Sequence, residues 1–227
     1  MQDCIGCANV SNTVLHRDGR GRRWPAEAPP HGDRRAAARR GAETFAEIGF
    51  AAASVEDICR RGGFTRGAFY SSFRTKDELF AALFARETAR NLARAEDQLT
   101  GIEAEADPVT AAVDRCLSTF RADRTWVLVL TEYRLHAARH PEAAALLRRH
   151  TADLVVRLTA LIEQATARTG LRLALPAAEL ARILLALHDG AVVQQVSDGP
   201  DATAEPDAAP DLERTALLLL LRTAISD

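Results

Sequence analysis

Lysine is almost missing from this chain: Lys76 stands alone beside 28 arginines in 227 residues. With abundant alanine, that preference marks a GC-rich genome and says nothing about mechanism. Four cysteines are too few for a disulfide scaffold in a chain this long. Cys59 and Cys116 fall in apolar helical patterns and read as core residues. Cys4 and Cys7 form a C-x-x-C, but no second cysteine or histidine pair stands at metal spacing, so no metal site is expected there. No apolar run approaches the ~20 residues that span a bilayer. The longest leucine run, at 217–221, is far shorter. The N-terminus has no continuous apolar segment of the secretory kind, so a cytoplasmic protein is expected. H-E-x-x-H, a glycine-rich phosphate loop and a credible serine–histidine–acid set are all missing, so neither an enzyme nor a cofactor is expected. Strand-like alternation is absent as well, which leaves an all-α chain.

The net charge of −2 excludes a strongly basic, non-specific nucleic-acid binder, but charge is uneven along the chain. Residues 33–90 hold 11 basic and 8 acidic side chains, a local charge of +3. Within this segment, residues 54–79 read S-V-E-D-I-C-R-R-G-G-F-T-R-G-A-F-Y-S-S-F-R-T-K-D-E-L. Ser54 is a helix N-cap with Asp57 three residues on, where the helix dipole favours a carboxylate. Val55 and Ile58 give the first helix its apolar face, Gly62-Gly63 ends it, and Phe64 anchors the turn. Thr65 caps a second helix over 66–71. Thr75, with Glu78 three residues later, opens a third. Two short helices joined by a glycine turn make a helix-turn-helix, whose second helix enters the DNA major groove.

The residue types on that second helix suit the task. Gly67 and Ala68 let it approach DNA closely, Arg66 reaches guanine edges or phosphate, and Tyr70 and Ser71 carry hydroxyls for phosphates. Lys76 sits in a first helical turn, where the dipole disfavours it, so a phosphate contact is expected of it.

Residues 34–84 resemble the DNA-binding domain of the tetracycline-repressor (TetR) family. The matching pieces are F-A-E-I-G-F at 45–50, S-V-E-D-I at 54–58, G-F-T-R-G-A-F-Y at 63–70, Phe73, and K-D-E-L at 76–79. Cys59 and Gly62 stand where that family usually has alanine, and Phe64 where it has valine; these are packing changes. The resemblance implies an all-α homodimer that binds a near-palindromic DNA operator, most simply as a repressor, and that a small-molecule effector releases. Thr65, Arg66, Gly67, Ala68 and Ser71 would then face bases, and Ser54, Tyr70 and Lys76 would hold phosphates. The alternative is a helical DNA-binding sensor controlled by a protein partner or by cysteine oxidation.

Three regions follow along the chain. Residues 1–32, rich in glycine, proline and polar side chains, are expected to be a disordered extension. Its arginines 17, 20, 22 and 23 form a basic arm that could reach a minor groove or simply be solvated. Residues 33–82 form the three-helix DNA-binding domain, and seven of the eight phenylalanines, at 45–84, mark it as a core of its own. Residues 83–227 form a helical bundle for effector binding and dimerisation. Helices are expected over 108–122, 125–139, 142–169, 176–196 and 212–225, with an acidic loop of five acids and no base at 197–211.

In the bundle Trp126, Leu130, Tyr133 and Ala137 share one helical stripe, with Phe120 just before it and His136 beside it. His188 and Gln194 interrupt an apolar helix. Such groups pack a core or line a ligand pocket. The family's effector cavity favours the pocket, which makes Phe120, Trp126, Leu130, Tyr133, His136, His188 and Gln194 the candidate contacts for a largely apolar effector. Glu132, His136 and His140 are spaced i, i+4, i+8; helical drift takes the third off line, so no metal is expected. Leu180, Ile183, Leu184, Leu187 and Ala191 on one helix, with Leu217, Leu218 and Leu221 on the last, are the candidate dimer surface.

Overall fold

A computed structural model describes residues 16–17, 23–24, 34–119, 123–198 and 212–226. Phe120, the acidic loop and most of the N-terminal extension, with its Cys4–Cys7 pair, lie outside the described residues. The described chain is all-α. It runs α1 (Arg34–Ile48), α2 (Val55–Gly62), α3 (Arg66–Ser72), α4 (Lys76–Gln98), α5 (Pro108–Thr119), α6 (Arg124–Ala137), α7 (Pro141–Thr169), α8 (Ala177–Asp198) and α9 (Leu212–Ala224). Two antiparallel ladders of two residues each depart from the strand-free expectation. β1 (His16–Arg17) pairs with β2 (Arg23–Trp24), and β3 (Arg172–Leu173) with β4 (Ile225–Ser226). The second ladder ties the end of α9 to the loop before α8, where the Ala174 N–H also donates to the Ala224 carbonyl at 2.8 Å.

The helix boundaries follow local chemistry. Ser54 caps α2 in a reciprocal box with Asp57, and Gly63 ends it at φ 68°. Thr65 accepts from the Ala68 N–H to start α3. Thr75 accepts from the Glu78 N–H to start α4. There the reciprocal contact shifts by one residue, because the Glu78 carboxylate accepts from the N–H of Arg74 rather than of Thr75. Pro141 opens α7, and Gly170 closes it at φ 73°.

Phe45, Phe50, Phe69, Phe73 and Phe80 are all fully buried among α1 to α4. Burying each such ring contributes ~1.5–3 kcal/mol. Contrary to the separate core expected for the DNA-binding module, this cluster continues without a break into α6 and α7 through Val129, Tyr133, Ala137 and Ala143. Tyr133 is 0% exposed, stacks on Phe80 at 3.5 Å between centroids, and meets Phe50 edge-on at 4.8 Å. A second cluster, Ala95, Leu99, Ile102 and Leu161, packs where α4 ends against α7.

Candidate nucleic-acid interface and interior cavity

α3 rests on the core through Phe69 and turns its other side to solvent. Thr65, Arg66, Gly67 and Ser71 are exposed, Ala68 is half-buried, and Tyr70 is 48% exposed. A Cβ built on Gly67 would meet only the Thr65 Oγ1, at 3.8 Å, so the fold itself sets no limit on this residue's size. The Thr65 hydroxyl accepts the capping N–H and keeps its own proton to donate. Ser71 donates its proton back to the Ala68 carbonyl at 2.8 Å, which leaves its oxygen as an acceptor.

Four exposed arginines ring this surface, and each has an acidic neighbour: Arg60 with Asp57, Arg61 with Glu47, Arg66 with Glu56, and Arg74 with Glu78. Exposed pairs of this kind are worth about 0–1 kcal/mol. Phosphates can therefore compete for these guanidiniums at little loss. Arg74, the most exposed of them, is an addition to the residues expected from sequence.

Two expected phosphate contacts are otherwise engaged. The Ser54 hydroxyl donates to the Asp57 carboxylate at 2.5 Å, and the Ser54 N–H donates to the same oxygen at 3.2 Å. A hydroxyl has one proton, so Ser54 has no donor left for phosphate. These bonds, the hydroxyl's first, hold the Asp57 carboxyl below its ordinary range. The Lys76 ammonium donates to the carbonyls of Phe50, Ala51 and Ala53 at 2.8, 3.2 and 3.3 Å, and lies 4.7 Å from the centre of the Phe50 ring. Its three protons are thus used in tying the α1–α2 loop to the start of α4. This corrects the view that the position lacks a structural reason. Burial lowers the lysine's pKa, and Asp77 opposes that shift.

α6 joins this module to the rest of the chain. Glu132 Oε2 accepts from the Phe50 N–H at 2.6 Å, just after the α1 terminus. Gly49 there has φ 83°, and a Cβ on it would stand 2.8 Å from that same carboxylate oxygen. The Tyr133 hydroxyl donates to Asp77 Oδ1 at 3.1 Å, and His136 Nε2 lies 3.4 Å from it. Burial, then the Asp77 charge and bond, push the Tyr133 hydroxyl above its ordinary range. Glu132 is taken by the Phe50 N–H, while the rings of His136 and His140 stack at 4.0 Å between centroids and His140 Nδ1 faces the His136 carbonyl at 2.8 Å. No group of three metal-ligating side chains occurs among the described residues.

The other side of α6 lines an interior cavity of about 410 Å³, walled also by α4, α5, α7, α8 and α9. Of the expected effector contacts, Trp126, Leu130 and His188 line it. Tyr133 and His136 instead face the DNA-binding module, and Gln194 is exposed on α8. Arg134, Asp189 and Glu213 were not anticipated. Arg134 pairs with Asp189 from α6 to α8, and His188 Nδ1 lies 2.7 Å from Glu213 Oε1. Both contacts join residues far apart in sequence, so no local spacing announces them.

The expected dimer residues divide in the same way. Leu180 is buried, and Leu184, Leu217 and Leu221 line the cavity. Leu187, Ala191 and Leu218 are half-buried, while Ile183 is exposed. The large apolar side chains that reach solvent on these helices, among the described residues, are Ile183 on α8 and Leu212 and Leu219 on α9. Cys59 and Cys116 have thiols pushed up to about 11 by burial, so neither is a thiolate at neutral pH.

A helix-turn-helix whose core runs into a helical domain around a cavity is the build of a transcription regulator. Residues 38–83 match the model of the bacterial regulatory proteins of the tetR family, and residues 104–222 match that of the BetI-type transcriptional repressor C-terminal domain. The chain belongs to the TetR family of regulators. The HTH-type transcriptional regulator UidR of Escherichia coli K12 is 29% identical over 106 residues, which is 47% of this chain and 52% of UidR. The chain thus spans about half the length of the curated relatives it matches. Two solved structures share the fold. Salmonella enterica GusR has a TM-score of 0.66 at 23% identity, covering 86% of this chain and 96% of its own. A TetR-family regulator from Rhodococcus sp. has a TM-score of 0.67 at 21% identity, covering 85% and 98%. No described helix is long and apolar enough to cross a membrane.

Proposed function

We propose that this chain is a homodimeric transcriptional repressor that binds a near-palindromic operator through α3 and leaves it when a small molecule fills the cavity. The observation that carries this reading is the placement of α6. One face bears Trp126, Leu130 and Arg134 on the cavity, and the other bears Glu132, Tyr133 and His136 on Phe50, Phe80 and Asp77 of the DNA-binding module. Any ligand that shifts α6 must also shift the turn after α1 and the start of α4. An effector acts through its differential affinity for the two arrangements.

Thr65, Arg66, Gly67, Ala68 and Ser71 meet the bases, and Tyr70 and Arg74 the phosphates; Ser54 and Lys76 hold the module's shape instead. Two copies pair through the exposed stripe Ile183, Ala186, Gly190 and Gln194 of α8, with Leu212 and Leu219 of α9. Selection of bound sequences from random DNA, followed by footprinting, tests this. Two symmetric half-sites protected by a dimer support the proposal, and a single unrepeated site occupied by a monomer contradicts it.

A further inference from the structure

Of the four paired arginines around α3, Arg66 is the one held by the other helix of the helix-turn-helix. Its Nη1 lies 2.7 Å from Glu56 Oε1, so the pair bridges the first turn of α2 and the first residue of α3. Helix capping does not call for it: Asp57 closes the box with Ser54, and Thr65 caps α3. Both side chains are more than half exposed, Glu56 at 55% and Arg66 at 61%. A pair so open to water adds little to stability. Arg66 also stands in the first turn of its helix, where the dipole disfavours a cation. The pair borders the exposed face of α3, one turn from Tyr70 and next to the open Gly67.

The bonding groups that this pair leaves over have a definite order. A guanidinium tied through Nη1 keeps the edge formed by Nε and Nη2, which is a fork of two donors. A carboxylate tied through Oε1 keeps Oε2 as an acceptor. Side by side, Arg66 and Glu56 therefore offer donor, donor and acceptor. In the major groove a G·C pair shows two acceptors, guanine N7 and O6, and then a donor, cytosine N4. An A·T pair places its amino donor between two acceptors instead. Against A·T the arginine fork would meet a donor, and the carboxylate would meet the thymine O4.

We propose that Glu56 is a specificity-determining residue, which with Arg66 reads one G·C pair in each half-site: Arg66 donates to guanine N7 and O6, and Glu56 accepts from cytosine N4. This rests on the reading of α3 as the helix that meets DNA. An acid on a surface that faces phosphates weakens binding everywhere except where a base donor meets it. Glu56 thus holds Arg66 in line for guanine and penalises sites that lack the cytosine amino group.

The test is selection of bound sequences from random DNA by the full-length protein, by Glu56→Ala, by Arg66→Ala and by the double variant. Both positions are exposed, so all four proteins should melt together. The unaltered protein should prefer G·C over A·T at one symmetric position of each half-site by at least about tenfold. Each single variant should lose most of that preference at the same position and keep its preferences elsewhere. Because the two residues act as one reader, the double variant should lose no more than Arg66→Ala alone. Glu56→Ala should also bind random DNA more tightly, having one negative charge fewer beside the phosphates. A G·C preference unchanged in Glu56→Ala, or an equal fall at every position, would overturn the proposal and leave the DNA-binding reading standing. No sequence preference in the unaltered protein would overturn both.

Discussion

The ring of Phe64 fills the space that a side chain on residue 62 would need: a Cβ on Gly62 would lie 2.0 Å from Phe64 Cε1. The two departures from the family pattern on either side of the turn are therefore one feature, a small residue made necessary by a large one. Gly62→Ala should lower stability by ~1–3 kcal/mol through overpacking. In a Phe64→Val background the same change should stabilise, because alanine is about 1 kcal/mol better than glycine in a helix. Urea unfolding of the four proteins reads this out, and the same sign in both backgrounds would contradict the coupling.

The single lysine is explained by its three carbonyl partners. An ammonium directs three donors from one nitrogen, whereas a guanidinium is a planar fork. Lys76→Arg should therefore lower the unfolding free energy by ~1–3 kcal/mol, since the carbonyls of Phe50, Ala51 and Ala53 lose a matched donor. A variant of unchanged stability with weakened operator binding would return Lys76 to the phosphates.

Acid should loosen the junction between α6 and the DNA-binding module. Burial, the largest influence, lowers the His136 pKa below the ordinary 6.5; Asp77 opposes the shift, while His140 and Lys76 reinforce it. The unfolded chain then takes up its proton before the folded one does. The contribution to stability is complete above pH 6.5 and is lost as pH falls below it. His150, likewise lowered by burial, adds to the same trend. Thermal unfolding followed from pH 7.5 to 5 should show a falling midpoint, with a shallower fall in His136→Asn; identical slopes would contradict the assignment.

Gly67 separates fold from function. No protein atom crowds it, so Gly67→Ala should leave the melting point equal or higher, by up to about 1 kcal/mol in stability. Operator affinity should fall by about tenfold, because the added methyl meets DNA where α3 lies closest. Unimpaired affinity would move α3 away from the groove.

The helix ends and turns were legible because they depend on neighbours in sequence. Ser54, Thr65, Gly63, Pro141 and Gly170 mark their helices through bonds or angles within a few residues. Helix faces were legible as sets, but what covers each face was not. Tyr133 lies on the stripe with Trp126 and Leu130, and both its ring and that of Trp126 stack on Phe80, yet only Trp126 and Leu130 also reach the cavity wall. In the leucine run at 217–221, Leu217 and Leu221 turn inward and Leu219 outward, which five identical residues cannot reveal. The structural reason for Lys76 was illegible for the same cause: its carbonyl partners lie 23 to 26 residues away.

The central claim is sequence-specific DNA binding, and fluorescence anisotropy tests it most directly. The protein is titrated into labelled DNA from upstream of its own coding region, and into random DNA of equal length, across a range of salt. Saturable binding at least about 10³-fold tighter than to random DNA, weakening steadily as salt rises, is expected. Equal affinity for the two, on that DNA and on any sequence recovered by selection, would contradict it.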